Sequence, residues 1–277
     1  MRRVPDVRPA AVAGTWYPGT ASALAHAVDA HIAHATRDVE GELVALIAPH
    51  AGLMYSGPVA AHAYRLLAGR RFDVAVIVGP SHFVGFDGVA VYASGGFDTP
   101  FGVVPIDAGS AAALAQASPI VREHAPAHAR EHSIEMQLPF LAHLAPGLPI
   151  VPLVMGRQTA ATASALGDAL GDVFRGRRAL LVASTDLSHY HAAAEAARLD
   201  AVVIDRVSRL DAEGLQAAID ANPEHACGGG PAVAVMRAAR QLGARDAVVL
   251  HYGDSGDVSG DKSAVVGYLA AALGAFS

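Results

Sequence analysis

The sequence predicts an α/β fold: a single-domain α/β/α sandwich on a largely parallel, mixed central sheet. Three observations predict it. Short apolar runs recur at residues 43–48, 74–79, 150–154, 179–183 and 247–250. The runs are continuous rather than alternating, as in strands whose two faces are both covered by helices. Between them lie stretches of helical spacing, and strands alternating with helices build parallel sheets.

The helical segments follow in order. His26, His31 and His34 are expected on helix faces. Val59, Ala63, Leu66 and Leu67 form an apolar stripe after Pro58, which suits a first helical turn. Residues 160–174, 192–210 and 231–242 are further alanine-rich helices, and Asp211 caps another that ends near Pro223. Residues 89–92 and 263–268 read as antiparallel or edge additions, which makes the sheet mixed. With no Pro/Ser-rich linker, charge block or repeat, one domain over residues 1–277 is expected.

Composition narrows the function. The chain is 52% hydrophobic and 17% charged, with a net charge of −6. No basic run offers a footprint for nucleic acid or an anionic membrane, so neither is expected as a partner. The single cysteine, Cys227, excludes an internal disulfide framework and fits a reducing compartment. Arg2 and Arg3 are followed by Pro5, Asp6, Arg8 and Pro9, which interrupt any signal-peptide core. The apolar stretch 264–276 is too short and glycine-broken to span a bilayer. A cytoplasmic location is expected.

The chemistry concentrates just beyond the strands. Pro49-His50-Ala51-Gly52 follows the first, Pro80-Ser81-His82 the second, Ser184-Thr185-Asp186-Leu187-Ser188-His189 the fourth and His251-Tyr252 the fifth. Ligands of open α/β sheets bind beyond the carboxyl ends of strands, so four histidines are expected to converge on one rim. His50 and His82 are the best pair of metal ligands, because each follows a strand through a proline. HExxH, CxxC, GxGxxG, Walker-type and GxSxG motifs are absent.

Two further segments point toward the rim. Cys227 sits in His225-Ala226-Cys227-Gly228-Gly229-Gly230-Pro231, ahead of a helix whose first residue is expected to be Pro231. The helix terminus and free amides there would favour a thiolate, although a lone cysteine also serves as a small buried hydrophobe. Glu131-His132-Ser133-Ile134-Glu135 opens a helical run to Leu144, kinked at Pro139. Ser133 is its candidate cap, and Glu131 and His132 face either the rim or solvent.

These segments resemble the Memo family, which is related in fold to class III extradiol ring-cleaving dioxygenases. The resemblance is carried by Ala13-Gly14-Thr15-Trp16-Tyr17, Ile47-Ala48-Pro49-His50-Ala51-Gly52 and Val78-Gly79-Pro80-Ser81-His82. It continues through Glu131-His132-Ser133-Ile134-Glu135-Met136, Ser184-Thr185-Asp186-Leu187-Ser188-His189 and Ala226-Cys227-Gly228. It implies a class III extradiol dioxygenase-like sandwich with His50, His82 and Cys227 holding one metal ion. His189 then matches an acid/base histidine, with Asp186 and Glu131 lining the same pocket. Microbial members of this family are grouped with a radical SAM protein and a third partner as AmmeMemoRadiSam, and animal members are described as signalling proteins.

Cys227 is a departure from the two-histidine, one-carboxylate iron site of the dioxygenases, and a thiolate shifts preference toward softer ions. Iron(II) is the expected metal, with copper or zinc as alternatives. Three functions compete. The first is a metal-dependent oxidoreductase of unnamed substrate. The second is a non-enzymatic module that captures an anionic small molecule or a peptide. The third is a hydrolase with Cys227 as nucleophile, activated by His189 or His225.

Overall fold

The structure, a computed structural model, describes residues 7–36 and 39–277. The sequence reading at Arg2, Arg3, Pro5 and Asp6 lies outside the described residues. The strands in chain order are β1 (Val7–Arg8), β2 (Gly41–Ala48), β3 (Val74–Pro80), β4 (Val89–Val91), β5 (Gly96–Phe97) and β6 (Val104–Pro105). They continue as β7 (Val121–Glu123), β8 (Ile150–Met155), β9 (Ala179–Ser184), β10 (His189–His191), β11 (Asp246–Asp254) and β12 (Val265–Phe276).

The large sheet runs β10-β12-β2-β9-β3-β8-β4-β7, with β11 also paired to β12. β2, β9, β3 and β8 are mutually parallel, whereas β12 joins β2 and β4 joins β8 in antiparallel pairs. The sheet is therefore mixed but parallel at its centre. β1, β5 and β6 make a small second sheet.

All five expected strands are present, each extended by a residue or more. Their continuous apolar character has a clear cause, because successive side chains feed two different cores. Val74, Val76 and Val78 of β3 pack on one side, while Ala75 and Ile77 pack on the other. The first side is covered by α3 (Ala108–Ala117), α6 (Ala160–Phe174), α7 (Ala193–Ser208), α8 (Ala212–Ala221) and α9 (Gly229–Gln241). The second is covered by α1 (Ala21–His34), α2 (Leu53–Tyr64), the short α4 (Ala125–His128) and α5 (Leu138–Leu144).

Several boundaries depart from expectation. α2 begins at Leu53, so Pro58 lies inside it, with the buried Leu53, Ser56 and Gly57 upstream. The contact of this first turn with its neighbours overrides the usual place of proline. α9 starts at Gly229, two residues before Pro231. The 131–144 run is not one kinked helix: a 3-10 turn at Glu135–Gln137 leads into α5, and Pro139 sits in its first turn, where no N–H is needed. Ser133 caps nothing; its hydroxyl donates to the Pro80 carbonyl. Of the 263–268 segment, residues 265–268 open β12, which is antiparallel but internal, flanked by β2 and by β10 and β11. Among the described residues no helix is long and apolar enough to cross a membrane.

Candidate metal centre

The carboxyl ends of the parallel strands carry the cluster. β2 leads through Pro49 to His50, β3 through Ser81 to His82, and β9 ends at Ser184, just before Asp186. The ligand atoms of His50, His82 and His132 all lie within 4.8 Å of one another. His50 and His82 meet edge to face at 5.2 Å, and His82 stacks on His132 at 4.4 Å. Trp16 closes the outer side of His132, with ring centroids 4.4 Å apart.

The 131–133 loop approaches so closely because residue 79 is glycine. A Cβ there would stand 2.5 Å from Ser133 Oγ and 2.9 Å from its Cβ. Glu131, buried in that loop, accepts from the His82 backbone N–H at 2.6 Å, and its other oxygen lies 2.8 Å from His82 Nδ1. Burial opposes its charge, but the His82 ring, the His82 N–H and the Ser133 N–H together hold its carboxyl down to about 2. An ionised carboxylate only accepts, so His82 carries a proton on Nδ1, which leaves Nε2 as its ligand atom.

Burial keeps the His50 and His132 rings neutral. His50 is pushed well below the ordinary histidine range by burial and then by His82, His132 and His189. His132 is lowered to about 4 by burial and by His82. Neutral imidazoles packed at this spacing are the form in which histidine binds metal.

Cys227 stands beside His50, with Sγ 3.2 Å from Nε2, and its sulfur also accepts from the Asp186 N–H at 3.3 Å. A tetrahedral ion with metal–nitrogen bonds of about 2.0 Å and metal–sulfur bonds of about 2.3 Å separates such donors by roughly 3.5 Å. His50 and Cys227 are therefore spaced as two ligands of one ion could be, although the grouping of ligand atoms within 4.8 Å comprises the three histidines and not the sulfur. The thiolate-favouring expectation is corrected, however. Without a cation, burial and the Asp186 carboxylate push the thiol up. A bound cation is what would reverse that balance.

Asp186 and His189 are both at this end of the sheet, but each is held by backbone groups rather than by the other. Asp186 accepts from the His50 backbone N–H at 2.7 Å, and burial raises its carboxyl to about 7 against the His50 and Ala51 amides. His189 instead donates Nδ1–H to the Leu187 carbonyl at 2.8 Å, which leaves its Nε2 open. His251 is not on the rim. β11 runs on through it to Asp254, and its ring stacks on His62 of α2 at 4.3 Å. His225 is tied to the Leu199 carbonyl at 2.9 Å.

The sequence leaves His132 open between rim and solvent, and the structure places it in the histidine cluster; its signal was the neighbouring Glu131. Sequence reasoning missed the support behind the loop. Glu135, fully buried, receives Arg8 Nη1 at 2.5 Å, the Tyr17 hydroxyl at 2.7 Å and the Ala11 and Val12 amides. Arg8 also donates to the Glu131 carbonyl at 2.6 Å. The segment that carries Trp16 is thereby fastened to the loop that carries Glu131 and His132.

An α/β/α sandwich on a mixed central sheet, with a histidine cluster able to hold a metal at its strand ends, defines the class of protein. The family described as Memo-like protein matches residues 8–272. A MEMO1 family protein of Methanopyrus kandleri is 38% identical, covering 95% of this chain and 97% of the relative. One from Methanothermobacter thermautotrophicus is also 38% identical, covering 95% and 98%. The chain belongs to the Memo family. In fold it is similar to a solved structure of an uncharacterized protein from Escherichia coli K12, with a TM-score of 0.55 and 17% identity, covering 82% of this chain and 99% of that one.

Proposed function

We propose that this chain is a metal-dependent oxidoreductase whose single ion is held by His50, His82 and Cys227, with His132 packed against them. The observation that carries the metal is the grouping of three imidazole ligand atoms within 4.8 Å, beside a thiol 3.2 Å from one of them. Two imidazoles and a thiolate suit a transition metal, and iron(II) or copper would supply redox chemistry at the open positions.

The chain's own residues would do the rest. Glu131 holds the His82 ring and offsets positive charge beside it. His189, whose Nδ1 is occupied by the Leu187 carbonyl, would take or return a proton on bound substrate through Nε2. Asp186 fixes the backbone of His50 rather than the ring of His189.

The test is oxygen uptake by iron- or copper-loaded protein over a panel of catechols and thiols. Turnover that His189→Ala abolishes while metal content stays intact supports the proposal. Absence of uptake across the panel favours the second reading, a binding module. That reading has its own observation: Trp16 and Phe83 flank His132 and remain well exposed, at 39% and 48%.

A further inference from the structure

His50 is contacted at both ring nitrogens, by Ser184 Oγ at 2.9 Å on Nδ1 and by Cys227 Sγ at 3.2 Å on Nε2. A neutral imidazole carries one proton, and the nitrogen that holds it cannot donate a lone pair. The two distances do not choose between the nitrogens. The other partners of Ser184 do.

The Ser184 hydroxyl lies 2.6 Å from the Ser133 carbonyl, which only accepts, and 2.7 Å from Gln137 Nε2, which only donates. The Gln137 amide cannot be turned round. Its Nε2 also faces the Pro49 carbonyl at 3.0 Å, and its Oε1 takes the Tyr64 hydroxyl proton at 2.7 Å. Tyr64, Ser133, Gln137 and Ser184 have no exposed surface at all. A hydroxyl has one proton and two lone pairs. The proton goes to Ser133, one lone pair accepts from Gln137, and the other is left to accept from His50.

We infer that Ser184 is a positioning residue that fixes His50 as its Nδ1–H tautomer, with the Ser133 carbonyl and the Gln137 amide setting the direction of the serine proton. The Nε2 lone pair of His50 is thereby kept free on the side of Cys227. The opposite tautomer would take the Ser184 proton away from the buried Ser133 carbonyl and point an N–H at the sulfur. His82 is fixed in the same sense by an ionised carboxylate and His189 by a carbonyl. His50 differs in being fixed by a neutral relay that reaches Tyr64 on α2.

The tautomer itself needs no metal; only its consequence for affinity rests on the proposed function. Long-range 1H–15N spectra of metal-free, 15N-histidine-labelled protein should show His50 protonated at Nδ1 and bare at Nε2, with His50→Ala supplying the assignment. A His50 protonated at Nε2 overturns the inference. In zinc competition titrations Ser184→Ala should weaken binding by roughly 10–100-fold, as loss of a ligand's outer partner does. Ser184→Thr, which keeps the hydroxyl, should bind as the unsubstituted protein does. Unchanged zinc affinity in folded Ser184→Ala also overturns the inference. Failure of the unsubstituted protein to bind zinc refutes the metal reading, whereas the spectra of metal-free protein decide the tautomer separately.

Discussion

Glu131 grips His82 at two points, accepting its backbone N–H at 2.6 Å on one oxygen and facing its Nδ1 at 2.8 Å with the other. The second oxygen also accepts the Ser133 N–H at 2.9 Å. Every partner is a donor, which only a carboxylate can satisfy. Glu131→Gln must turn an NH2 group toward at least one of them. Zinc affinity should fall by roughly 10–100-fold, and stability by about 1–3 kcal/mol for the buried donor left unpaired. Competition titration and urea unfolding measure the two separately. Unaltered values in both would mean that Glu131 is a bystander.

The Arg8–Glu135 pair behind that loop is buried on both sides, at 2.5 Å. Breaking it by Arg8→Met leaves a carboxylate without its counter-charge and should cost about 3–5 kcal/mol in denaturant unfolding. The double variant Arg8→Met, Glu135→Gln should recover part of the loss. If the single variant is as stable as its parent, Arg8 does not hold the amino-terminal segment.

Acid should destabilise the protein through its buried histidines. His128 is 1% exposed, and its ordinary value of 6.5 is lowered to about 4, first by burial. The folded state therefore resists protonation that the unfolded chain accepts. Stability is full above about pH 6.5 and falls as pH drops toward 4, by up to about 3 kcal/mol for this group alone. His128→Phe should reduce the proton uptake on unfolding at pH 5 by about one. Unfolding free energies measured across pH 4–7 check it, and an unchanged slope would sink the assignment.

Cys227 should be protected by the metal. Iodoacetamide should modify it slowly in metal-loaded protein and faster after chelation, since ligation occupies the sulfur lone pair. Peptide mapping quantifies the two rates. Equal rates would remove Cys227 from the ligand set.

The sheet and the strand-end histidines were legible because burial on both faces writes continuous apolar runs, and the polar residues beyond them stand out. His50 and His82 meet for that reason. His251 was misplaced because a sequence does not show where a strand stops or how far across the sheet it lies. β11 continues past His251, on the far side of β12 from β2. Pro58 misled because its preference for a first turn is local, while the packing of Leu53 and Gly57 is tertiary. The Ser184–Gln137 contact was invisible, since the two residues are 47 apart and neither belongs to a local pattern. His132 needed the fold to show its stack on His82.

The central claim is that His50 and His82 hold a metal ion. The most direct measurement is anaerobic metal analysis of protein expressed without an affinity tag, comparing the unsubstituted chain with His50→Ala and His82→Ala. About one transition-metal ion per chain is expected in the first, and loss of that ion from each folded variant. Full metal occupancy in both variants would contradict the claim.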